Sequence, residues 1–423
     1  DNGASAEGGR VGSINEHRFG FGVPDDLAEN LAAIDDLGGW RAYNHYPWGW
    51  AWAGNAPFRL WKRYSWLGGT RTPLIVRYPR DVADPGAVRS QFCHAVDLFP
   101  TVLDACGVEA PAVVDGVAQQ RVDGTSLRGT FADGAAPEVR TTQYFEMLGS
   151  RSIYHAGWKA TTDHVSEGVL DEVLLEGSRD LESPRWHLFD LDHDFSESTD
   201  LAGEHPERVA ELEARWWAEA DANQVLPLSS SLRERIMAME PPVWFPPRQV
   251  VLHPGYGPIA DEAAPSLAGG ALLTAELDVP DGGGSGVLCA MGDWHSGWAL
   301  LVLDGRPAMR VSLTSTPFAI DGTEVLPAGR HDVAFRFRPD GTGGGVGTLL
   351  VDGRVVAAAP LPPEFGFGGI QIGGGGLRLG HDAGFPVSDD YWPPFAWTGT
   401  LHSVVIDADA PESTPIDALL HRE

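Results

Sequence analysis

Residues 61–76 read "WKRYSWLGGTRTPLIV" and join a lysine, a Gly-Gly turn and a short apolar run. The lysine, Lys62, is one of only two in a chain with 30 basic residues. The run "TPLIVRYP" at 72–79 is bounded by prolines, and its length predicts a buried β-strand. Because ligands of open α/β sheets bind in loops at strand ends, the stretch predicts a ligand site beside Lys62.

The segments on either side of this stretch show helical patterns. Residues 24–38 place apolar side chains on one helical face and end at a glycine, which predicts an amphipathic helix. Residues 97–107, "DLFPTVLDACG", predict a second helix with Asp97 as N-cap and Gly107 at its end. Helices alternating with a buried strand predict the edge of an α/β sheet.

The character of the sequence changes after residue 139. Residues 140–148, 152–162 and 186–191 each predict one strand, and residues 206–223 predict a helix that starts at a proline. Three strands with one packing helix indicate a small antiparallel α+β subdomain. We expect Lys159, in the second of these strands, to be an ordinary surface residue.

The C-terminal part has a third character. Residues 226–262 are rich in proline and predict a connector. From residue 264 onward, strand-length apolar runs alternate with Gly, Pro and Asp turns, which predicts an antiparallel β-sandwich.

Composition excludes several classes of protein. The 423 residues suffice for two or three domains of about 150 residues each. A net charge of −29 argues against nucleic-acid binding, and no apolar run approaches the ~20 residues of a membrane span. Three scattered cysteines indicate neither a disulfide framework nor a zinc site and slightly favour the cytoplasm.

The first nine residues, "DNGASAEGG", place two hard oxygen donors, Asp1 and Asn2, at the start of a glycine-rich loop. Such oxygens suit a divalent cation, and a cation together with Lys62 suits an oxyanion such as phosphate or sulfate. The alternative interpretation of Asp1-Asn2 is a plain Asx turn.

Taken together, these stretches resemble the C-terminal portion of a sulfatase of the long bacterial arylsulfatase type. The resemblance is dense over residues 1 to about 228 and looser beyond them, and it rests on the order and spacing of six segments: 1–9, 44–58 ("NHYPWGWAWAGNAPF"), 61–76, 93–108 ("CHAVDLFPTVLDACGV"), 143–160 ("QYFEMLGSRSIYHAGWKA") and 186–209 ("WHLFDLDHDFSESTDLAGEHPERV").

The resemblance implies an architecture. Residues 1–138 correspond to the C-terminal part of an alkaline-phosphatase-like α/β/α sheet domain, and residues 139–225 to its antiparallel subdomain. The connector at 226–263 then leads to an all-β, lectin-like sandwich at 264–423.

The resemblance also implies a chemistry, the hydrolysis of a small sulfate ester, expected to be aryl. By resemblance, Asp1 and Asn2 are two ligands of a Ca²⁺ ion, with Mg²⁺ as the alternative. Lys62 contacts the sulfate and helps protonate the leaving oxygen, and His45 lines the pocket.

One part of the family pattern is missing from this sequence. The family's nucleophile is a formylglycine made from Cys or Ser in a Cys/Ser-x-Pro-x-Arg motif, and the sequence contains no such motif. We therefore expect a truncated chain that is inactive alone.

Two other functions stay open. Residues 290–306 and 380–401 carry the aromatic and acidic loops that a glycan-binding module would use. A phosphatase or phosphonate hydrolase of the same superfamily would share the metal chemistry.

Overall fold

The computed structural model describes residues 2–20, 23–166, 174–231, 248–260, 263–265, 267, 269–341, 344–362 and 375–409. Asp1, one of the two predicted metal ligands, lies outside the described residues. Within the described ranges, no helix combines the length and apolar composition that crossing a lipid bilayer takes.

Seven α-helices are described: α1 (His17–Gly20), α2 (Leu27–Ala32), α3 (Trp48–Asn55), α4 (Leu67–Thr70), α5 (Leu98–Cys106), α6 (Gly129–Ala132) and α7 (Pro206–Ala222). Strands of the first half are β1 (Val113–Val114), β2 (Val117–Ala118), β3 (Thr142–Met147), β4 (Ser150–His155), β5 (Trp158–Thr162) and β6 (Trp186–Asp190).

Strands of the second half are β7 (Arg248–Leu252), β8 (Ala271–Val279), β9 (Gly286–Gly292), β10 (Ser296–Leu303), β11 (Arg306–Leu313), β12 (Thr316–Asp321), β13 (Gly329–Pro339), β14 (Gly345–Val351), β15 (Arg354–Leu361), β16 (Arg378–Leu379) and β17 (Thr400–Ala408).

The chain divides into two compact units. The first comprises residues 1–6 and 48–232, and the second comprises residues 7–47 and 233–423. This division differs from the predicted boundaries, because residues 7–47 belong with the C-terminal unit. Strand β7 also lies in the stretch predicted as a connector, where it pairs with β17.

The first unit is built around an antiparallel sheet in the order β3-β4-β5-β6. Helix α7 packs Leu212, Trp216 and Ala220 against Ile153 and Leu188 of this sheet. The predicted strands at 140–148 and 186–191 and the predicted helix at 206–223 are confirmed. A second core joins α3 and the loop after it to the sheet, through Ala51, Trp61, Tyr64, Trp66 and Phe189.

The single strand predicted at 152–162 is wrong, because a two-residue turn divides it into β4 and β5. Ala156 and Gly157 at that turn have φ angles of 47° and 85°. Both values suit the tight hairpin turn that matches strand twist. Alanine is an unusual residue for a positive φ, so the sequence pattern concealed the turn.

The buried strand predicted at 72–79 is also wrong. These residues form no strand, and Ile75 is 91% exposed. An apolar run is held as a strand only if a neighbouring strand satisfies its backbone, and no described strand pairs with it.

Helix α5 confirms the prediction at 98–106, with Gly107 as a left-handed C-cap. Asp97, however, does not cap α5 with its side chain. Its carboxylate instead accepts the backbone N–H groups of His94 and Thr125 and pairs with Arg140 at 2.6 Å.

The second unit contains a sandwich of two antiparallel sheets. One has the order β12-β11-β10-β9-β16 and the other the order β15-β14-β13-β8-β17-β7. Strand β8 alternates strictly between buried and half-buried residues, as a strand with one face on a core does. The sandwich predicted from residue 264 onward is therefore confirmed for the described strands.

The three central strands of the five-stranded sheet, β9, β10 and β11, are buried on both faces. The inner face of this sheet packs against the six-stranded sheet, while Val387 and Tyr391 cover its outer face over Val287, Ala299 and Leu301. Residues 7–47 also pack in this unit. Asn15, fully buried, donates from Nδ2 to the His295 carbonyl at 3.0 Å and to Ser315 Oγ at 2.9 Å.

The amphipathic helix predicted at 24–38 is shorter than expected. Asp26 caps α2 by accepting the N–H groups of Ala28 and Glu29, and a 3₁₀ turn follows at Ile34–Asp36. The apolar side chains that were to face a core are about half exposed: Leu27, Leu31, Ile34 and Leu37.

Candidate active site

The N-terminal segment of the first unit lies beside the loop that carries Lys62. The Gly3 N–H donates to the Gly69 carbonyl at 3.0 Å, and the Lys62 N–H donates to the Ala4 carbonyl at 2.9 Å. Two backbone hydrogen bonds thus join segments about sixty residues apart in sequence. The structure therefore brings the backbones of the Asn2 segment and the Lys62 segment together.

Asn55, the last residue of α3, fastens these two segments to each other. Its Oδ1 accepts the Ala4 N–H at 3.1 Å, and its Nδ2 donates to the carbonyls of Leu60 and Gly68, both at 2.9 Å. The sequence analysis missed this residue. A buried amide that serves three backbone groups has no local sequence signature, since one of its partners, Ala4, is 51 residues away in the sequence.

Glycine permits the close approach of these backbones. A Cβ on Gly3 would lie 1.7 Å from the Gly68 carbonyl oxygen, and a Cβ on Gly69 would lie 1.9 Å from that of Tyr64. Neither separation is possible for two non-bonded atoms, so any side chain would push the segments apart. The Gly-Gly pair serves backbone packing here.

The loop around Lys62 is also held to the sheet by buried polar groups. The Ser65 N–H donates to Ser150 Oγ at 2.9 Å, and Ser65 Oγ lies 3.1 Å from Thr161 Oγ1. The Leu67 N–H donates to Glu197 Oε2 at 2.8 Å. The loop is therefore fixed at two points within six residues of Lys62.

Lys159 takes part in this support, which corrects the expectation of a surface residue. It is only 1% exposed, and its Nζ lies 2.5 Å from Glu197 Oε1. Burial lowers the pKa of Lys159, while the neighbouring Glu197 carboxylate opposes that shift. Because Glu197 Oε1 forms the buried ion pair, Oε2 of the same carboxylate accepts the Leu67 N–H.

The backbone beside Lys62 adopts conformations that L-residues seldom occupy. Leu60 has a φ of 58° and Arg63 a φ of 84°. Each of these two backbone conformations costs of the order of 1–3 kcal/mol and persists only where the surrounding structure imposes it. Such strain is typical of functional loops, and here it encloses the predicted catalytic lysine.

A cavity of about 200 Å³ adjoins this loop. Arg59 and Trp66 line it from the loop, and His164 and His187 line it from the sheet side. The Arg59 guanidinium lies 4.3 Å from the centre of the Trp66 ring. The stacking holds a permanent positive charge at the wall of the cavity, three residues before Lys62.

The described residues do not complete a metal site. Asn2 is exposed, and its Nδ2 donates to the Gly3 carbonyl at 2.8 Å. In the ranges that the structure describes, no three His, Cys, Asp or Glu side chains converge as a ligand set. Ca²⁺ takes about 6–8 oxygen ligands, so these residues by themselves do not fit the ion.

His45, the other predicted substrate contact, lies in the second unit. Its Nε2 is 3.5 Å from Glu7 Oε2 and 3.9 Å from Glu16 Oε2. Backbone hydrogen bonds of 2.8 Å in both directions between His45 and Ser13 fix its position. A sulfate placed against Nε2 would meet two carboxylates, so this nitrogen suits a neutral substrate group better than the anion.

Comparison with known proteins shows similarity to sulfatases. Residues 58–221 match the family model described as N-sulphoglucosamine sulphohydrolase, C-terminal. An uncharacterized sulfatase of Schizosaccharomyces pombe is 29% identical over 217 residues, which cover 49% of this chain and 36% of that protein. The steryl-sulfatase of Mus musculus is 35% identical over 130 residues, covering 27% of this chain and 20% of that protein.

A solved structure, of a protein in complex with its substrate D-glucosamine-2-N,6-O-disulfate, is 20% identical to this chain with a TM-score of 0.28. It covers 39% of this chain, which in turn covers 31% of the solved one. The chain therefore spans only part of its relatives: 36% of the length of the Schizosaccharomyces pombe sulfatase and 20% of the length of the mouse steryl-sulfatase.

Proposed function

We propose that this protein works in the hydrolysis of sulfate esters to an alcohol or phenol and sulfate, because residues 58–221 match a family model of a sulfatase C-terminal region and the chain is similar to sulfatases. The observation that carries the proposal is the docking of the Asn2 segment onto the Lys62 loop through Gly3 and Ala4. An oxygen-donor segment beside a cation is the arrangement that an oxyanion needs, and the two backbone hydrogen bonds support this part of the proposal.

In this proposal Lys62 acts on the sulfate group directly. Its compact ammonium holds a sulfuryl oxygen and gives a proton to the leaving oxygen, whereas an arginine would keep its proton. The hydrogen bonds from Ser65, Leu67 and the Lys62 N–H fix the loop that carries it.

The proposal includes a divalent cation, Ca²⁺ or alternatively Mg²⁺, with Asp1 and Asn2 as two of its ligands. The cation would hold negative charge on the sulfuryl oxygens. The described residues do not complete the ligand set of this cation.

We further propose that the nucleophile is a formylglycine that these 423 residues do not carry. The sequence has no Cys/Ser-x-Pro-x-Arg motif, and its three cysteines are followed by "HAVD", "GVEA" and "AMGD". A rate enhancement of about 10⁶ or more cannot come from one lysine, so the chain alone should not turn over a sulfate ester.

An aryl sulfate is the proposed substrate. Steryl and N-acetylglucosamine 6-sulfates are other classes, because the proteins similar to this chain include a steryl-sulfatase and an N-acetylglucosamine-6-O-sulfatase. The test compares 4-nitrophenyl sulfate with glucosamine 6-sulfate, with added Ca²⁺, on this chain and on the longest translation product of its gene. We expect turnover only by a product that includes the nucleophile motif.

Lys62 variants of the active product test the role of the ammonium. Lys62→Ala should lower kcat about 10²–10⁴-fold, and Lys62→Arg should recover KM but not kcat, since it restores charge without a transferable proton. Arg121→Ala removes an 88%-exposed cation of the same unit and is the control.

A phosphatase or phosphonate hydrolase is the alternative. Turnover of 4-nitrophenyl phosphate or a phenylphosphonate ester with no turnover of any sulfate ester would replace the proposal by this one. Hydrolysis of a sulfate ester by the 423 residues alone would show that the nucleophile lies among them.

A further inference from the structure

Four aromatic side chains of the second unit converge from three distant segments. The Trp40 ring centroid lies 5.7 Å from that of Trp294, 6.4 Å from that of Phe385 and 5.6 Å from that of Trp392. Phe385 lies nearly parallel to Trp40 at 30°, while Trp294 and Trp392 stand edge-on to it. We call these four rings the aromatic platform.

Much of the aromatic platform faces solvent. Trp392 is 57% exposed and Phe385 is 45% exposed, whereas Trp40 and Trp294 are half-buried beneath and beside them. Single exposed aromatic residues need no explanation. A cluster of them on one surface indicates a binding site.

Contacts with charged and polar side chains hold the aromatic platform in place. Arg41 lies over Trp40 and Trp294, at 5.0 and 5.3 Å from their ring centres, and pairs with Asp389 Oδ2 at 2.6 Å. The buried Tyr391, next to Trp392 in the sequence, donates from its hydroxyl to Asp382 Oδ2 at 2.5 Å and accepts the Val387 N–H at 3.1 Å. A surface fixed in this way loses little conformational entropy when it binds.

Two arginines of this unit are neutralised by carboxylates. Arg41 is paired with Asp389, and Arg310 is paired with Asp390 and, at 2.8 Å, with Asp321. Neither of these two arginines is therefore left unpaired for an anionic ligand. The whole chain, at −29, repels polyanions.

We propose that the aromatic platform binds a neutral carbohydrate. The C–H groups on one face of a pyranose ring carry partial positive charge and are attracted to the negative face of an aromatic ring. The exposed rings supply such faces, and the Asp389 carboxylate beside them, itself about half exposed, can accept hydrogen bonds from sugar hydroxyls.

A protein partner fits these residues less well. A specific protein interface buries about 800 Å² on each partner and keeps charged groups away from its centre. Here the Arg41–Asp389 ion pair lies directly at the rings. A sugar, whose hydroxyls bond to charged groups at the edge of a small apolar face, matches this composition better.

The test is affinity electrophoresis of the full chain in native gels that contain a galactan, a xylan or a mannan, with a sulfated galactan as the anionic comparison. We expect at least one neutral polysaccharide to retard the protein, with an affinity that high salt leaves unchanged. Trp392→Ala should weaken this affinity about tenfold, because one stacking ring is lost.

Tyr256→Ala is the matched control, since Tyr256 is an aromatic residue of the same unit with 58% exposure. The affinity of the Tyr256→Ala variant for the polysaccharide should stay within about twofold of that of the parent chain. Circular dichroism of both variants checks the fold. Because both substituted residues are exposed, both variants should stay folded.

Three results would overturn the proposal: no retardation by any neutral polysaccharide, retardation by the sulfated galactan alone, or equal weakening by both substitutions. Concentration-dependent self-association that Trp392→Ala abolishes, without retardation in the gels, would assign the aromatic platform to a second copy of the chain. The test does not depend on the proposed sulfatase function.

Discussion

Lys159 Nζ and Glu197 Oε1 lie 2.5 Å apart in the interior of the first unit, and the second oxygen of the same carboxylate accepts the Leu67 N–H at 2.8 Å. One buried glutamate thus neutralises a buried lysine and holds the end of the loop that carries Lys62. The stability of the pair and the position of the loop are consequently linked.

Removing one partner of this ion pair should be strongly destabilising. We expect Glu197→Ala to lower the free energy of unfolding by about 3–5 kcal/mol, because it leaves a buried ammonium uncompensated. Arg121→Ala, which breaks an exposed pair with Asp123, should cost about 0–1 kcal/mol. Urea unfolding of both variants measures the difference, and equal losses would contradict the role of burial.

Asp97 should make stability depend on pH in the acid range. Burial by itself would raise its pKa, but the Arg140 side chain and the N–H groups of Thr125 and His94 bring the pKa below its usual value. A depressed carboxyl pKa stabilises the fold above the unfolded value of about 3.9, and that contribution is lost as pH falls through the folded pKa.

Asp97→Asn should therefore destabilise the protein at pH 7, by about 2–4 kcal/mol since it breaks a pair with a largely buried arginine. The gap between parent and variant should narrow steadily below about pH 4. Urea unfolding across that range provides the measurement. A gap that is the same at pH 3 and pH 7 would exclude the ion pair as its source.

Two glycines in helices of the first unit should respond oppositely to alanine. In α4, Gly69→Ala would place Cβ 1.9 Å from the Tyr64 carbonyl oxygen and should cost about 1–3 kcal/mol or more. In α3, Gly49→Ala meets nothing within 4 Å and should stabilise the helix by about 0.5–1 kcal/mol. Thermal unfolding gives both values, and the expectation fails if the two shifts share a sign.

Calcium binding by the 423 residues should be weak. Asp1 and Asn2 offer two oxygen-donor side chains where about 6–8 oxygen ligands are wanted, and the described residues add no carboxylate cluster. Isothermal titration calorimetry should show a Kd weaker than micromolar. Tighter binding that Asp1→Ala abolishes would mean that the ligand set is more complete than we infer.

Local patterns predicted a large part of the architecture. The strands at 142–147 and 186–190, the helices at 98–106 and 206–222 and the alternating strands of the sandwich all follow from periodicity and from Gly or Pro at their ends. These signals depend on neighbours in sequence, so one sequence is sufficient to find them.

Two wrong predictions, for residues 72–79 and for Lys159, have a different cause: both depend on partners that are distant in the sequence. The run "TPLIV" has strand composition, yet Ile75 is exposed because a strand also needs a hydrogen-bonded neighbour. Lys159 has the composition of a surface residue, yet it is buried because Glu197, 38 residues away, supplies its counter-charge. Periodicity carries no information on such partners.

The residue types of the candidate site were thus determined by the sequence alone: an Asp-Asn pair, a rare lysine and a Gly-Gly turn. Only the tertiary structure decided how they are held. The docking of Gly3 and Ala4 on the Lys62 loop, the Asn55 side chain that joins them and the Glu197 support are contacts between distant segments. Burial makes these polar contacts necessary, because a buried donor or charge without a partner costs several kcal/mol, and burial exists only in the folded chain.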